Sequence, residues 1–392
     1  MDFDLNDEQR QIKETAREFL ASRYRSERIR ELAETEQGWE QRDWDEMCGL
    51  GWPGLALPEE WGGQGLGTVE LAVVFEEMGY ALAPSPLLAT TVTGLALAAC
   101  GNDDQKEVYL RPLAQGQKRG TPAVVDAGSP GNPAEFTMEA RPDGESVILD
   151  GEKVLVLDAV SADFFLVATA DGVRYIVERE EPGVSVSVEP SIDPTRRLCT
   201  VRFDGVKVPA ERTLPGAAED YLPVLHRLLV ATSAELTGIA QKALDMAVAY
   251  AKERQQFNRP IGAYQAVSHR CAHMLLDTEN ARSATYFAAW AADADPDALP
   301  LAAAIAKAAA SDAGTRVTHD SLQVHGGIGF TWEHDIHLFL KRARVNAAMF
   351  GDARWHRERV ARLVVDEGLG FASGAEPVAI ATGAGIGAAA AA

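Results

Sequence analysis

The sequence predicts an α+β protein in three parts: an N-terminal helical domain over 1–118, a middle antiparallel β domain over 119–212, and a C-terminal four-helix bundle over 213–372. Three observations carry this reading. Apolar residues recur at helical spacing in the first third of the chain and again after Pro215. Between those regions the pattern shortens to runs rich in Val, Ile and Phe, which read as strands. Four Asp-Gly pairs, Asp143-Gly144, Asp150-Gly151, Asp171-Gly172 and Asp204-Gly205, punctuate the runs and read as hairpin turns.

Taken in order, Asn6 with Gln9 three residues on makes a capping-box signature, and Ile12, Ala16, Phe19 and Leu20 follow at helical spacing. Gly49-Leu50-Gly51-Trp52-Pro53-Gly54 and then Leu57-Pro58-Glu59-Glu60-Trp61-Gly62-Gly63 break that pattern. Helices resume near 69–78, carrying Glu76 and Glu77, and near 87–99. Strand-like runs follow at 147–149, 154–157, 164–167, 175–177, 184–188 and 201–208. Four long helices are expected at 221–253, 265–292, 299–324 and 333–367, with alanine-rich faces that permit close packing. Residues 373–392 are rich in Gly and Ala without period, so a disordered tail is expected there.

The net charge of −21 argues against binding nucleic acid or an anionic membrane, since both need a basic face. No uninterrupted apolar run has membrane-spanning length, and the acidic start Met1-Asp2-Phe3-Asp4 is unlike a signal peptide. Cys48, Cys100, Cys199 and Cys271 are far apart with no Cys-x-x-Cys, which reads as reduced thiols in a cytoplasmic protein. His269 with His273, and His334 with His337, have helical spacing but no further ligands to match, so no metal is expected. Gly128-Ser129-Pro130-Gly131 is not a nucleophile elbow. Neither a Walker A loop nor a Rossmann fingerprint occurs, so a nucleotide cofactor must be held in another way.

Two segments offer that way. Arg254-Gln255-Gln256-Phe257-Asn258-Arg259-Pro260-Ile261, followed by Gln265, joins a guanidinium fork to an aromatic ring, which suits a pyrophosphate beside a ring system. Gln323-Val324-His325-Gly326-Gly327-Ile328-Gly329-Phe330 exposes backbone N–H groups and lets another molecule approach closely. An isolated Gly pair would read only as a helix cap. The two segments together, about sixty residues apart, resemble the C-terminal domain of the acyl-CoA dehydrogenases, and Pro58-Glu59-Glu60-Trp61-Gly62-Gly63 fits that family's N-terminal domain.

The resemblance covers nearly the whole chain and implies the acyl-CoA dehydrogenase fold, with FAD between the β domain and the bundle. It implies a glutamate that takes a proton from the acyl α-carbon, hydride transfer to the flavin, and an electron-transfer flavoprotein or similar acceptor. Arg254, Phe257, Gln265, Gln323, Gly326 and Gly327 match the group that, in this family, reaches across a dimer to the neighbour's FAD. The same-subunit group departs from the pattern. Val125-Asp126-Ala127-Gly128-Ser129-Pro130-Gly131-Asn132 replaces Thr-Glu-Pro-Gly-Ala-Gly-Ser-Asp, and Leu155-Val156-Leu157-Asp158 replaces Trp-Ile-Thr-Asn, near Gly151 and Lys153. The base departs as well: Phe350 falls where the family has its usual Glu, and Leu228 at the alternative position. Glu235, two helical turns further on, is the remaining candidate for a displaced base.

Three readings follow. The first is a subunit without its own base that completes the FAD site of a homologous, base-bearing partner in a hetero-tetramer acting on an acyl-CoA. The second is a homo-oligomeric acyl-CoA dehydrogenase using Glu235. The third is a non-redox acyl-CoA-binding or structural relative, against which the retained Arg254 and Gln323 speak.

Overall fold

A computed structural model describes residues 5–127, 136–216 and 218–369. The expected tail and the Gly128–Gly131 stretch lie outside these residues. Helix α1 (Asp7–Arg23) starts at the anticipated box: the Gln9 N–H donates to Asn6 Oδ1 at 2.8 Å, and the Asn6 N–H donates to Gln9 Oε1 at 2.9 Å. After it come α2 (Ser26–Ala33), α3 (Gln41–Gly49), α4 (Thr68–Ala81), α5 (Leu87–Cys100), and two short turns, α6 (Asp103–Gln105) and α7 (Arg111–Ala114). Every residue of α4 from Leu71 to Gly79 is buried, as expected for a helix that is apolar on nearly all sides. Its two consecutive acids, Glu76 and Glu77, are buried too, held by Lys13, Arg17 and Arg282.

The middle region forms two four-stranded sheets. One has the order β1-β4-β5-β8 (Gly120–Ala123, Phe164–Ala168, Arg174–Glu178, Thr213–Leu214), and the other β2-β3-β7-β6 (Ala140–Asp143, Ser146–Leu157, Leu198–Pro209, Val184–Val188). Pairing is antiparallel as predicted, except that β1 runs parallel to β4. Two of the four Asp-Gly pairs do make turns, Asp143-Gly144 between β2 and β3 and Asp171-Gly172 between β4 and β5. The other two lie inside the long strands β3 and β7. There Gly151 accompanies a shift in register, and the Gly205 N–H donates to Asp150 Oδ1 at 2.6 Å. A positive φ at these glycines bulges the strand without ending it.

The bundle contains α8 (Leu222–Glu253), α9 (Gln265–Ala294) and α10 (Leu299–His325), close to expectation. The fourth helix was expected to be continuous over 333–367, and it is broken. Helix α11 (Ile336–Ala348) stops at a turn in which Phe350 and Gly351 have φ of 58° and 92°, and α12 (Ala353–Ala361) restarts on an Asp352 cap. Left-handed backbone at two successive residues cannot continue a right-handed helix. One apolar core runs through both helical regions, and a second fills the space between the sheets. Helices α4 and α8 cross at glycine. A methyl group on Gly79 would lie 2.0 Å from the Glu235 carbonyl oxygen, and one on Gly238 would lie 1.8 Å from that of Glu76.

Candidate functional site

One end of the bundle gathers the six residues expected to meet a cofactor. The Tyr250 and His325 rings pack 4.8 Å apart and join the last turns of α8 and α10, so Arg254 lies beside the Gly326 turn. The Ile261 N–H donates to the Arg254 carbonyl at 2.8 Å and folds the intervening loop back, which brings Gln265 to the start of α9. Arg254, Phe257, Gln265, Gln323 and Gly327 are all exposed, with the Phe257 ring 87% so. The Arg254 guanidinium pairs with no carboxylate among the described residues, and Asp245, a possible partner, instead accepts from Tyr80 Oη at 2.9 Å. A methyl group on Gly327 would touch nothing within 4 Å, and its φ needs no glycine. The space there would let another molecule approach the backbone closely. An unpaired guanidinium, an open ring and a cradle without side chains fit the phosphate and adenosine portion of FAD.

The opposite edge offers different chemistry. Leu155 is partly exposed at φ 54°, while Leu157 is buried and its carbonyl accepts from Thr121 Oγ1 at 2.7 Å. Neither supplies a ring or a hydroxyl. Asp126 turns inward to a buried ion pair with Lys153 at 2.6 Å and accepts from the Thr137 N–H at 2.7 Å. Asp158 is buried at φ 49° with Oδ2 unpartnered. Burial pushes its carboxyl up to about 6, against the pull of Arg196 and Arg342.

Glu235 sits in the middle of a buried ionic network. Arg196 Nη2 donates to both its oxygens at 2.9 and 2.8 Å, and Arg342 Nη1 donates to Oε1 at 2.7 Å. Arg342 also holds Asp193 at 2.5 Å and the Thr195 carbonyl at 2.7 Å, and Arg196 Nη1 reaches Asn346 Oδ1 at 2.7 Å. Burial alone would raise the Glu235 carboxyl; the two guanidiniums outweigh it and hold the group below the usual carboxylate value. A carboxylate committed on both oxygens, with lowered basicity, is poorly placed to abstract a proton. The network bolts the segment before β7 onto α8 and α11. Sequence reading missed Arg196, Arg342 and Asp193, since partners so far apart in the chain leave no local signal.

The two positions where a base was sought face one cavity. Leu228 on α8 and Phe350 in the turn after α11 both line a space of about 370 Å³ with Leu229, Trp355, His226 and Arg359. The turn is held from beneath. Lys307 is fully buried on α10 and donates to the carbonyls of Ala347 at 3.2 Å and Gly351 at 3.0 Å and to Ser311 Oγ at 3.0 Å. Burial brings its ammonium down to about 7. His356 Nε2–H donates to the Phe350 carbonyl at 3.0 Å. The backbone that presents residue 350 is thus firmly positioned, and the side chain it presents cannot take a proton. The paired histidines expected to hold no metal lie apart from this cavity. His334 packs 4.2 Å from His325, His337 stands edge-on to Trp332, and His269 and His273 are exposed. No helix among the described residues is long and apolar enough to cross a membrane.

Fold and site together place the residues expected to meet a phosphate-bearing cofactor, Arg254 and the Gly326-Gly327 turn among them, at one end of a helical bundle. The N-terminal domain of acyl-CoA dehydrogenases matches residues 6–117 and the C-terminal domain matches 225–365, and the chain belongs to the acyl-CoA dehydrogenase family. These are oxidoreductases that act on a CH–CH bond, with FAD as cofactor. The acyl-CoA dehydrogenase IpdE2 of Mycolicibacterium smegmatis is 33% identical over 359 residues, covering 91% of this chain and 98% of that protein. The Tcur3481-Tcur3483 steroid ACAD is 32% identical at a TM-score of 0.85, covering 92% of this chain and 99% of that one. The ChsE4-ChsE5 complex from Mycobacterium tuberculosis is 27% identical at a TM-score of 0.86, covering 93% and 99%.

Proposed function

We propose that this chain is the base-lacking subunit of a heteromeric, cytoplasmic acyl-CoA dehydrogenase and completes the FAD site of a homologous, base-bearing partner. The observation that carries the reading is that both base positions are apolar and line one cavity, while the cofactor-facing residues remain open at the far end of the bundle. Arg254 and the backbone N–H groups around Gly326 and Gly327 would hold phosphate oxygens, with Phe257 packing beside the adenosine half. Bound there, FAD supplies the two-electron acceptor for α,β-dehydrogenation of the partner's acyl-CoA thioester. The ChsE4-ChsE5 complex and the Tcur3481-Tcur3483 steroid ACAD support a heteromeric assembly, which we read as a hetero-tetramer, and a sterol-derived or fatty acyl group. Likeness to a structure reported for the electron transferring flavoprotein of Acidaminococcus fermentans supports such a protein as final acceptor. The ion pairs on Glu235 weigh against a displaced base.

Flavin content tests this. Purified alone, the chain should carry little FAD, and co-purified with its partner it should yield a yellow, active complex. A homo-oligomer with one FAD per chain would overturn the proposal.

A further inference from the structure

Another cavity, of about 440 Å³, opens where the N-terminal helices meet the bundle, between α1, the turn into α2, the end of α4, α8 and the start of α11. Its floor is apolar, formed by Leu20, Ile29, Leu82, Met246, Leu338 and Phe339. Five charged side chains line the wall: Arg17, Arg25, Lys242, Glu77 and Asp335. Both acids are already answered. Glu77 accepts from Arg17 Nη2 at 2.9 Å and has Lys13 at 3.8 Å, and Asp335 accepts from Arg30 Nη2 at 2.7 Å and from Ser26 Oγ at 2.5 Å. Two of the cations are left over. Arg25 is exposed and has no hydrogen bond or ion pair among the described residues. Lys242 is half-buried with no carboxylate partner among them, its ammonium lying 4.9 Å from the centroid of the Tyr80 ring. That ring is itself held, since Tyr80 Oη donates to Asp245 at 2.9 Å and the Arg17 guanidinium lies 3.9 Å over it.

Carboxylates outnumber cations on this chain by 58 to 37, so a cleft with two cations left over runs against the general balance. Apolar surface open to water beside unanswered charge is best covered by a ligand of both characters. Two positive groups balance a dianion, and a carboxylate would answer only one of them. A phosphate monoester carries about −1.5 to −2 at neutral pH, and its three acceptor oxygens suit an ammonium and a guanidinium that come from different elements. The volume lies within the range of small-ligand pockets, which favour domain junctions of this kind. We propose that this cleft binds a free amphiphile with one phosphate monoester head, the head held by Lys242 and Arg25 and the apolar body lying along the floor. The site shares no lining residue with the cavity at Leu228 and Phe350, and it goes beyond the half-site reading.

Calorimetric titration of the full-length chain tests it, with decyl phosphate below its micelle concentration, decanoate, decan-1-ol and inorganic phosphate as probes. Decyl phosphate should bind one to one and at least about tenfold more tightly than the other three, each of which lacks the second charge or the apolar body. Lys242→Ala and Arg25→Ala should each weaken it at least about fivefold. Ala21→Trp, which fills the cleft from an exposed position on α1, should abolish binding without lowering the melting temperature. Arg359→Gln, at the other cavity, should leave binding unchanged. Phosphatidate vesicles should not carry the chain down on sedimentation, because a net charge of −21 is repelled by an anionic bilayer. Equal affinity for decyl phosphate and decanoate, or no binding, overturns the proposal. So does binding that ignores both cation substitutions, survives Ala21→Trp, is lost with Arg359→Gln, or occurs only to the vesicles. Because no measurement here follows FAD or turnover, the half-site reading can fail while this one stands, and the reverse.

Discussion

Replacing Asp158 by asparagine keeps the side chain's shape and its tolerance for left-handed backbone while removing the charge. In the folded chain burial raises this carboxyl from 3.8 to about 6. A folded value above the unfolded one means that Asp158 contributes stability below about pH 4, loses it as pH rises through about 6, and above that imposes a penalty relative to a neutral residue. At about 1.4 kcal/mol for each pH unit, the full penalty is about 3 kcal/mol. Asp158→Asn should therefore raise stability by about 3 kcal/mol at pH 8 and by about half that at pH 5, where the folded carboxyl is mostly protonated already. Urea midpoints of the two proteins at the two pH values measure this directly. A gain equal at both pH values, or a loss at pH 8, would show that Arg196 and Arg342 stabilise an ionised Asp158 and that the burial argument is wrong.

The cofactor end and the buried network make separate predictions. In the heteromeric complex, Arg254→Ala should lower FAD affinity at least about tenfold, as expected for losing a charge-assisted contact worth about 1.5–3 kcal/mol, and titration of FAD into the apo-complex reads it. Gly327→Ala should also weaken FAD while leaving the melting temperature of the flavin-free chain unchanged, because the added methyl meets no protein atom within 4 Å. Glu235→Gln should cost about 3–5 kcal/mol of stability in denaturant titration, since it leaves two buried guanidiniums undercompensated, without changing turnover per folded complex. Lost turnover with unchanged stability would instead restore Glu235 as a base.

Legibility from sequence followed the range of the interaction. Helices α8, α9 and α10 announced themselves because a period repeated over many turns outweighs any single residue, and the Asn6 cap did so because its partner is three residues away. The Asp-Gly pairs at 150 and 204 misled because glycine signals positive φ, and a bulge uses positive φ as readily as a turn does. The break at Phe350 contains no proline, and the apolar period resumes beyond it, so only Gly351-Asp352, a left-handed residue followed by a cap, hinted at it. Of the site, the residues that face outward were legible as motifs. Those that face one another inside were not: Arg196 meets Glu235 across 39 positions and Arg342 meets it across 107. Lys307 reads locally as one cation on an alanine-rich helix, and only the turn folding over it shows why it is there.

The glycine crossing of α4 and α8 has a mechanical consequence. With no side chain between the two backbones, the helices meet main chain to main chain, and any side chain added at Gly79 or Gly238 would force them apart. The carbonyl facing Gly79 belongs to Glu235, whose side chain anchors the β region through Arg196. A single turn of α8 is therefore a hub on which the N-terminal helices, the sheets and the bundle all bear. Amide hydrogens around Glu235 should exchange only when the whole chain opens.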